Sequence, residues 1–160
     1  MGSYLKDPAE IYARSFAIVR ETIDLSAFDG PLGDIAVRLI HACAMPEIAA
    51  DLVMSGDPGA AGKAALAAGA PILVDAEMVA RGIIAKRLPK NNEIVCTLNG
   101  PAVPARAADM GTTRSAAAVD DWKPHLKGAV VAVGNAPTAL FRLLELLADA
   151  ADKPAAILGF

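Results

Sequence analysis

Aromatic residues make up only 4% of this 160-residue chain, which has two histidines, two cysteines and one tryptophan. Its 54% hydrophobic content is therefore carried by Ala, Leu, Ile and Val. That composition suits helices close-packed on a sheet rather than an aromatic-lined binding face. Cys43 and Cys96 form no C-x-x-C pair and are too few for a disulfide framework. They are expected as small buried hydrophobes in a cytoplasmic protein whose surroundings keep thiols reduced. Basic charge is scarce as well: 15 Lys and Arg stand against 18 Asp and Glu. No basic run is longer than pairs such as Lys86-Arg87, so no electrostatic grip on nucleic acid is expected. No apolar run free of charges and helix breakers reaches membrane-spanning length, and the N-terminus lacks the charged-then-apolar pattern of a leader. His41 and His125 are far apart, and neither has cysteine or carboxylate at ligand spacing, so no metal site is expected. There is no G-x-G-x-x-G, no phosphate loop and no G-x-S-x-G elbow.

The length fits a single domain with a substantial core. Asp7-Pro8-Ala9-Glu10 opens a first helix, with Asp7 as cap and Pro8 at its first position. Ile11, Ser15, Ile18 and Thr22 fall on one face of it, beside Tyr12, Phe16, Val19 and Ile23. After a turn at Phe28-Asp29-Gly30-Pro31, a second helix is expected over residues 33–44, ended by Met45-Pro46. A short strand is expected over 51–55. Beyond it the pattern alternates: helix 62–68, strand 71–74, helix 76–82, strand 94–98, helices 103–110 and 113–121 joined at Gly111. A connector over 122–128 leads to strand 129–133, helix 136–148 and strand 155–158. Leu140, Leu143, Leu144 and Leu147 form the apolar face of that last helix. Apolar strands separated by helices imply an α/β domain, three layers around a mainly parallel sheet. Ligands in such folds gather at the carboxyl ends of strands, where Asp75, Asn99, Gly134-Asn135 and Gly159 fall.

Several polar groups stand in otherwise small or apolar surroundings. His41 sits in the last turn of the second helix, where the carbonyl end of the dipole favours a protonated ring. Ser15 either bonds back to its own preceding turn or serves a site. Gly111-Thr112-Thr113-Arg114 places Thr112 or Thr113 as a helix cap and Arg114 just inside the helix. A cation there opposes the dipole and calls for an anionic partner, either Asp120 or another acid of the chain, or an acidic ligand gripped through two parallel hydrogen bonds. Gly134-Asn135-Ala136-Pro137-Thr138 is a strand-to-helix turn whose amides, with the Thr138 hydroxyl, suit a carboxylate or phosphate. An ordinary turn capped by Asn135 fits the same residues.

Five stretches in order resemble the precorrin-8X methylmutase family of cobalamin biosynthesis. They are Ile11-Tyr-Ala-Arg-Ser15-Phe-Ala-Ile-Val19, Arg38-Leu-Ile-His41-Ala-Cys43, Ile72-Leu-Val-Asp75-Ala-Glu-Met78-Val, Thr112-Thr-Arg114-Ser-Ala-Ala and Val133-Gly-Asn-Ala-Pro-Thr-Ala-Leu140. The resemblance covers essentially the whole chain. It implies an isomerase that moves a methyl group from C-11 to C-12 of precorrin-8X to give hydrogenobyrinate, without a cofactor and as a homodimer. It also implies that His41 is the catalytic residue, protonating the macrocycle and later recovering the proton. Histidine suits such a task near neutral pH. Ser15, Thr113, Arg114, Asn135, Ala136 and Thr138 would then hold the peripheral carboxylates or a ring oxygen of this polycarboxylate corrinoid. Members of the family continue through a glycine-rich segment after the last strand. The chain is therefore expected to be one such domain over residues 1–160, lacking that segment. A corrinoid carrier without chemistry, and a nucleotide or phosphosugar enzyme on a generic α/β fold, are the competing readings.

Overall fold

Asp7 caps the first helix as its position in the sequence requires. Its carboxylate accepts the Glu10 amide at 2.9 Å, and Pro8 opens α1 over Pro8–Thr22. The computed structural model describes residues 4–28 and 30–160. In the turn expected at 28–31, Gly30 takes φ +50 and Pro31 begins α2, Pro31–Cys43; Asp29 lies outside the described residues. Ala44 adopts the left-handed conformation and Met45 is extended before Pro46, the restriction a following proline imposes. A 3-10 turn, Pro46–Asp51, takes the place of the start of the expected strand. Residues 52–55 have no regular structure. Leu52 and Met54 are half-buried around a 93% exposed Val53, which is strand-like alternation. No described strand pairs with it, and without a ladder the pattern forms no strand.

Internal contacts fall into two compact units, Met1–Gly59 and Ala60–Phe160. In the first, α1 packs on α2, and α2 buries Ala36, Val37 and Ile40. Full burial of a Val or Ile side chain contributes about 1.5–3 kcal/mol. An ion pair of Arg20 with Asp34 joins the two helices at their rim. No residue of α1 is fully buried.

The second unit carries the sheet. Its strands are β1 (Ile72–Val74), β2 (Ile94–Cys96), β3 (Val130–Val133) and β4 (Ala156–Gly159), all parallel in the order β2-β1-β3-β4. Helices α3 (Pro58–Ala68), α4 (Glu77–Gly82), α5 (Val103–Asp109), α6 (Arg114–Val119) and α7 (Pro137–Ala148) alternate with them. Gly111, at φ +60, makes the left-handed turn between α5 and α6 that a side chain would resist. The chain steps from β1 outward to β2, then back across β1 to β3 and on to β4. Right-handed crossovers in the two directions put α4 on one face and α5–α7 on the other. The α/β class and parallel sheet thus follow the sequence pattern. The order reverses between β1 and β3, and their carboxyl ends flank the crevice where such sheets ordinarily take ligands.

The core on the α6–α7 side gathers Leu73, Val119, Trp122, Leu126, Val131, Val133 and Leu143. Trp122 is 1% exposed: the first half of the connector expected over 122–128 belongs to a 3-10 turn, Asp120–His125, that drives this ring inward. Its indole N–H has no partner among the described residues. On α7, Ala139 and Leu143 are buried, whereas Leu144 is 52% exposed, so the apolar stripe is narrower than the leucine spacing suggests. Cys43 is exposed at the end of α2 and Cys96 half-buried; neither is in the fully buried set expected of them, and both are free thiols. Burial raises the Cys96 thiol.

Candidate active site

Ser15 on α1 and His41 in the last turn of α2 are brought together within the first unit. Ser15 Oγ lies 2.7 Å from His41 Nδ1, so the serine does not bond back along its own helix. Tyr12, three residues before Ser15, and Phe16, one after it, flank the imidazole with ring centroids at 5.2 and 5.1 Å. Phe16 meets it edge to face, and the exposed Arg38 guanidinium lies 5.3 Å from the Phe16 ring on its own account. Ring pairs at such separations hold orientation as well as area. The half-buried imidazole is thus held at Nδ1 and packed against two aromatic rings, and no described residue bonds Nε2.

The other expected residues lie in the second unit. Thr113 caps α6, its Oγ accepting the Ala116 amide at 3.1 Å, and it stands 2.8 Å from Thr138 Oγ on α7. Arg114 is exposed; its Nη2 donates to Asn99 Oδ1 at 3.0 Å and to the Leu98 carbonyl at 3.3 Å. Asp120 is not its partner, being bonded to Arg142 at 2.8 Å and paired with Lys123 at 3.4 Å. Asp121 pairs with Arg106 at 2.7 Å. Arg114 is therefore held by neutral oxygens, with no described carboxylate in ion-pair range. Its charge remains available to an acidic ligand.

The turn between β3 and α7 corrects the sequence reading. Its amides are not open to an outside anion, because Asp75 at the end of β1 takes them. The carboxylate accepts from Gly134 at 3.0 Å, Asn135 at 3.0 Å and Ala136 at 2.7 Å, and Asp75 is 3% exposed. Asn135 caps nothing; the cap position is Ala136, which has no side-chain cap bond of its own. Of this turn, the Thr138 hydroxyl and the exposed Asn135 side chain are left for a ligand, while the Ala136 amide is spoken for. The role of Asp75 was not legible: its partners lie about sixty residues away and meet it only because β1 and β3 are neighbours.

Beside Thr138, a cleft of about 330 Å³ is lined by Thr112, Ala116, Phe141, Arg142 and Glu145 among others. A larger hollow of about 700 Å³ runs along the alanine face of α3 and meets Lys127 and Gly128. Lys127 already pairs with Asp152, so size alone does not make that hollow a site. Among the described residues no group of three His, Cys, Asp or Glu is placed to hold a metal, and no helix is long and apolar enough to cross a membrane.

The family model described as precorrin-8X methylmutase matches residues 10–160. A precorrin-8X methylmutase of Sinorhizobium is 56% identical over 98% of this chain and 74% of its own length. One from Pseudomonas aeruginosa is 53% identical over the whole of this chain and 77% of its own length. The solved precorrin-8X methyl mutase of Thermus thermophilus superposes with a TM-score of 0.81 at 39% identity, covering 94% of this chain and 74% of that one. The chain spans about three-quarters of the relatives it matches. With the match running from the first helix through the last strand, the chain belongs to the precorrin-8X methylmutase family, isomerases of cobalamin biosynthesis.

Proposed function

We propose that this protein moves the methyl group of precorrin-8X from C-11 to C-12, giving hydrogenobyrinate, with His41 as the group that protonates the macrocycle and then recovers the proton. The observation that carries this reading is the His41 ring itself. It is fixed by Ser15 at Nδ1 and by two aromatic rings, with Nε2 left without a described partner. A proton-transfer group needs that combination of fixed direction and a vacant nitrogen. Migration of an uncharged methyl asks for little beyond positioning and a proton in the right place. The substrate is a polycarboxylate, and Arg114, with no carboxylate partner among the described residues, supports a role in gripping one of its acid groups. The Thr113 and Thr138 hydroxyls stand close enough to each other to share such a group. We further assign the protein to a homodimer in the cytoplasm acting without a cofactor. Sedimentation as a monomer at micromolar concentration would contradict the dimer.

The test is the absorption spectrum of precorrin-8X mixed with this protein, beside the His41→Ala variant. The parent should convert it to the hydrogenobyrinate spectrum, and the folded variant should not. Conversion by both would remove His41 from the chemistry, and a bound but unconverted spectrum with the parent would make the protein a carrier.

A further inference from the structure

The serine of the Ser15–His41 pair was expected among the substrate ligands. The geometry points to another part, one that rests on the proposed role of His41: we propose that Ser15 is a positioning residue that fixes which nitrogen of His41 works, leaving Nε2 to exchange the proton.

Ser15 Oγ has His41 Nδ1 as its one partner among the described residues. Nearby on the same helix, Thr22 spends its hydroxyl on the Ile18 carbonyl four residues back, the usual habit of a helical hydroxyl. Ser15 does not. In the neutral ring that can take a proton at Nε2, the remaining ring proton is on Nδ1, and Ser15 Oγ accepts from it. When the ring is charged, both nitrogens carry hydrogen and the same oxygen accepts from Nδ1–H, because a hydroxyl offers one donor and two lone pairs.

The choice of a hydroxyl has a chemical consequence. A carboxylate at that distance would favour the charged ring strongly, holding back the proton that has to leave. A neutral hydroxyl oxygen accepts from Nδ1–H in both protonation states without that bias, and no heavy atom moves. In the transfer, the Nε2–H bond breaks as a C–H bond forms on the macrocycle. The electron pair stays on Nε2, and Nδ1–H remains bonded to Ser15. Recovery of the proton reverses those steps. Tyr12 and Phe16, packed on the ring at 5.2 and 5.1 Å, oppose its turning over, which would interchange its nitrogens.

Nuclear magnetic resonance of the full chain with ring-¹⁵N histidine reads the tautomer directly, the second signal being assigned with His125→Gln. At a pH where His41 is neutral, the parent should show the Nδ1–H form alone. Ser15→Ala should relax toward the mixture of free imidazole, and Ser15→Thr, which restores the hydroxyl, should return to the parent pattern. In turnover, Ser15→Ala should lower kcat by about tenfold or more, the scale of one lost hydrogen bond, with KM within about twofold and Ser15→Thr recovering most of the loss. A raised KM at unchanged kcat would make Ser15 a substrate ligand and overturn the proposal. So would identical tautomer patterns in parent and Ser15→Ala, or no change in either constant. Turnover surviving His41→Ala would instead strike the proposed function, leaving the resonance result to stand by itself.

Discussion

Replacing Asp75 should destabilise the second unit more than any other single polar change. The wild-type carboxylate accepts three amides across the β3–α7 turn at 2.7–3.0 Å while being 3% exposed itself. Hydrogen bonds to a charged group contribute about 1.5–3 kcal/mol each. Gly134 and Asn135 are exposed and Ala136 half-buried, so water takes over part of what is lost. The same negative charge also sits at the start of α7, whose cap residue Ala136 has no oxygen to offer; that electrostatic contribution is about 0.3–1 kcal/mol. Together these give about 3–5 kcal/mol for Asp75→Ala. Asp75→Asn keeps one carbonyl oxygen but turns an amide N–H toward other N–H groups, for about 2–3 kcal/mol. Trp122, the chain's single tryptophan and a member of the same core, supplies the fluorescence signal. With an unfolding slope of about 2 kcal/mol per molar urea, the Asp75→Ala midpoint should fall by about 1.5–2.5 M. A loss below about 1 kcal/mol would mean that the turn holds its shape without the carboxylate, and the account of Asp75 as its organiser would be wrong.

Arg114→Ala should weaken corrinoid binding by about 1.5–3 kcal/mol, since it removes a charge-assisted grip; an unchanged Kd by titration would leave Arg114 with Asn99 and Leu98 as its whole purpose. Trp122→Phe deletes the unpaired indole N–H, a burden of about 1–3 kcal/mol, at the cost of a small void. The two nearly cancel, and circular-dichroism melts should place the variant within about 1 kcal/mol of the parent, against about 3–5 kcal/mol lost in Trp122→Ala. For Asp120, burial alone would raise the carboxyl, yet the bonds and charges of Arg142 and Lys123 outweigh it and hold it below the ordinary 3.8. A group depressed in the fold stabilises above its unfolded pKa and loses that contribution as pH falls through the folded value. Stability should therefore drop below about pH 4, and in Asp120→Asn that part of the acid-side slope should vanish. Equal slopes in urea titrations from about pH 6 to 3 would refute the assignment.

Local signals were read well wherever the physics is local. Asp7 capping the Glu10 amide, Pro46 forcing Met45 out of the helix, and Thr113 capping α6 each involve residues within a turn of one another. The strands at 72–74 and 130–133 announced themselves as apolar runs fit for burial on two faces. What was illegible depends on neighbours far along the chain. The Ser15–His41 bond spans 26 residues and the Asp75 clasp about sixty, and no periodicity encodes either. Residues 51–55 had strand-like composition without a partner, and the 122–128 span hid a core tryptophan because its turn is too short to show a period.

The position of β1 in the middle of the sheet also sets a timetable. Ile72, Leu73 and Val74 are 5%, 0% and 0% exposed in the finished protein, and β2, following about twenty residues later, can cover one edge of them. The other edge belongs to β3, whose Val130 pairs with Ile72, about sixty residues downstream. At a synthesis rate of about 5–20 residues per second, that edge stays open for about 3–12 s on a nascent chain. Through that interval the most water-averse strand of the protein is an unguarded template for a neighbouring chain. Asp75 waits just as long for the amides it will hold, so the step that seals the edge is also the one that gives this carboxylate its partners.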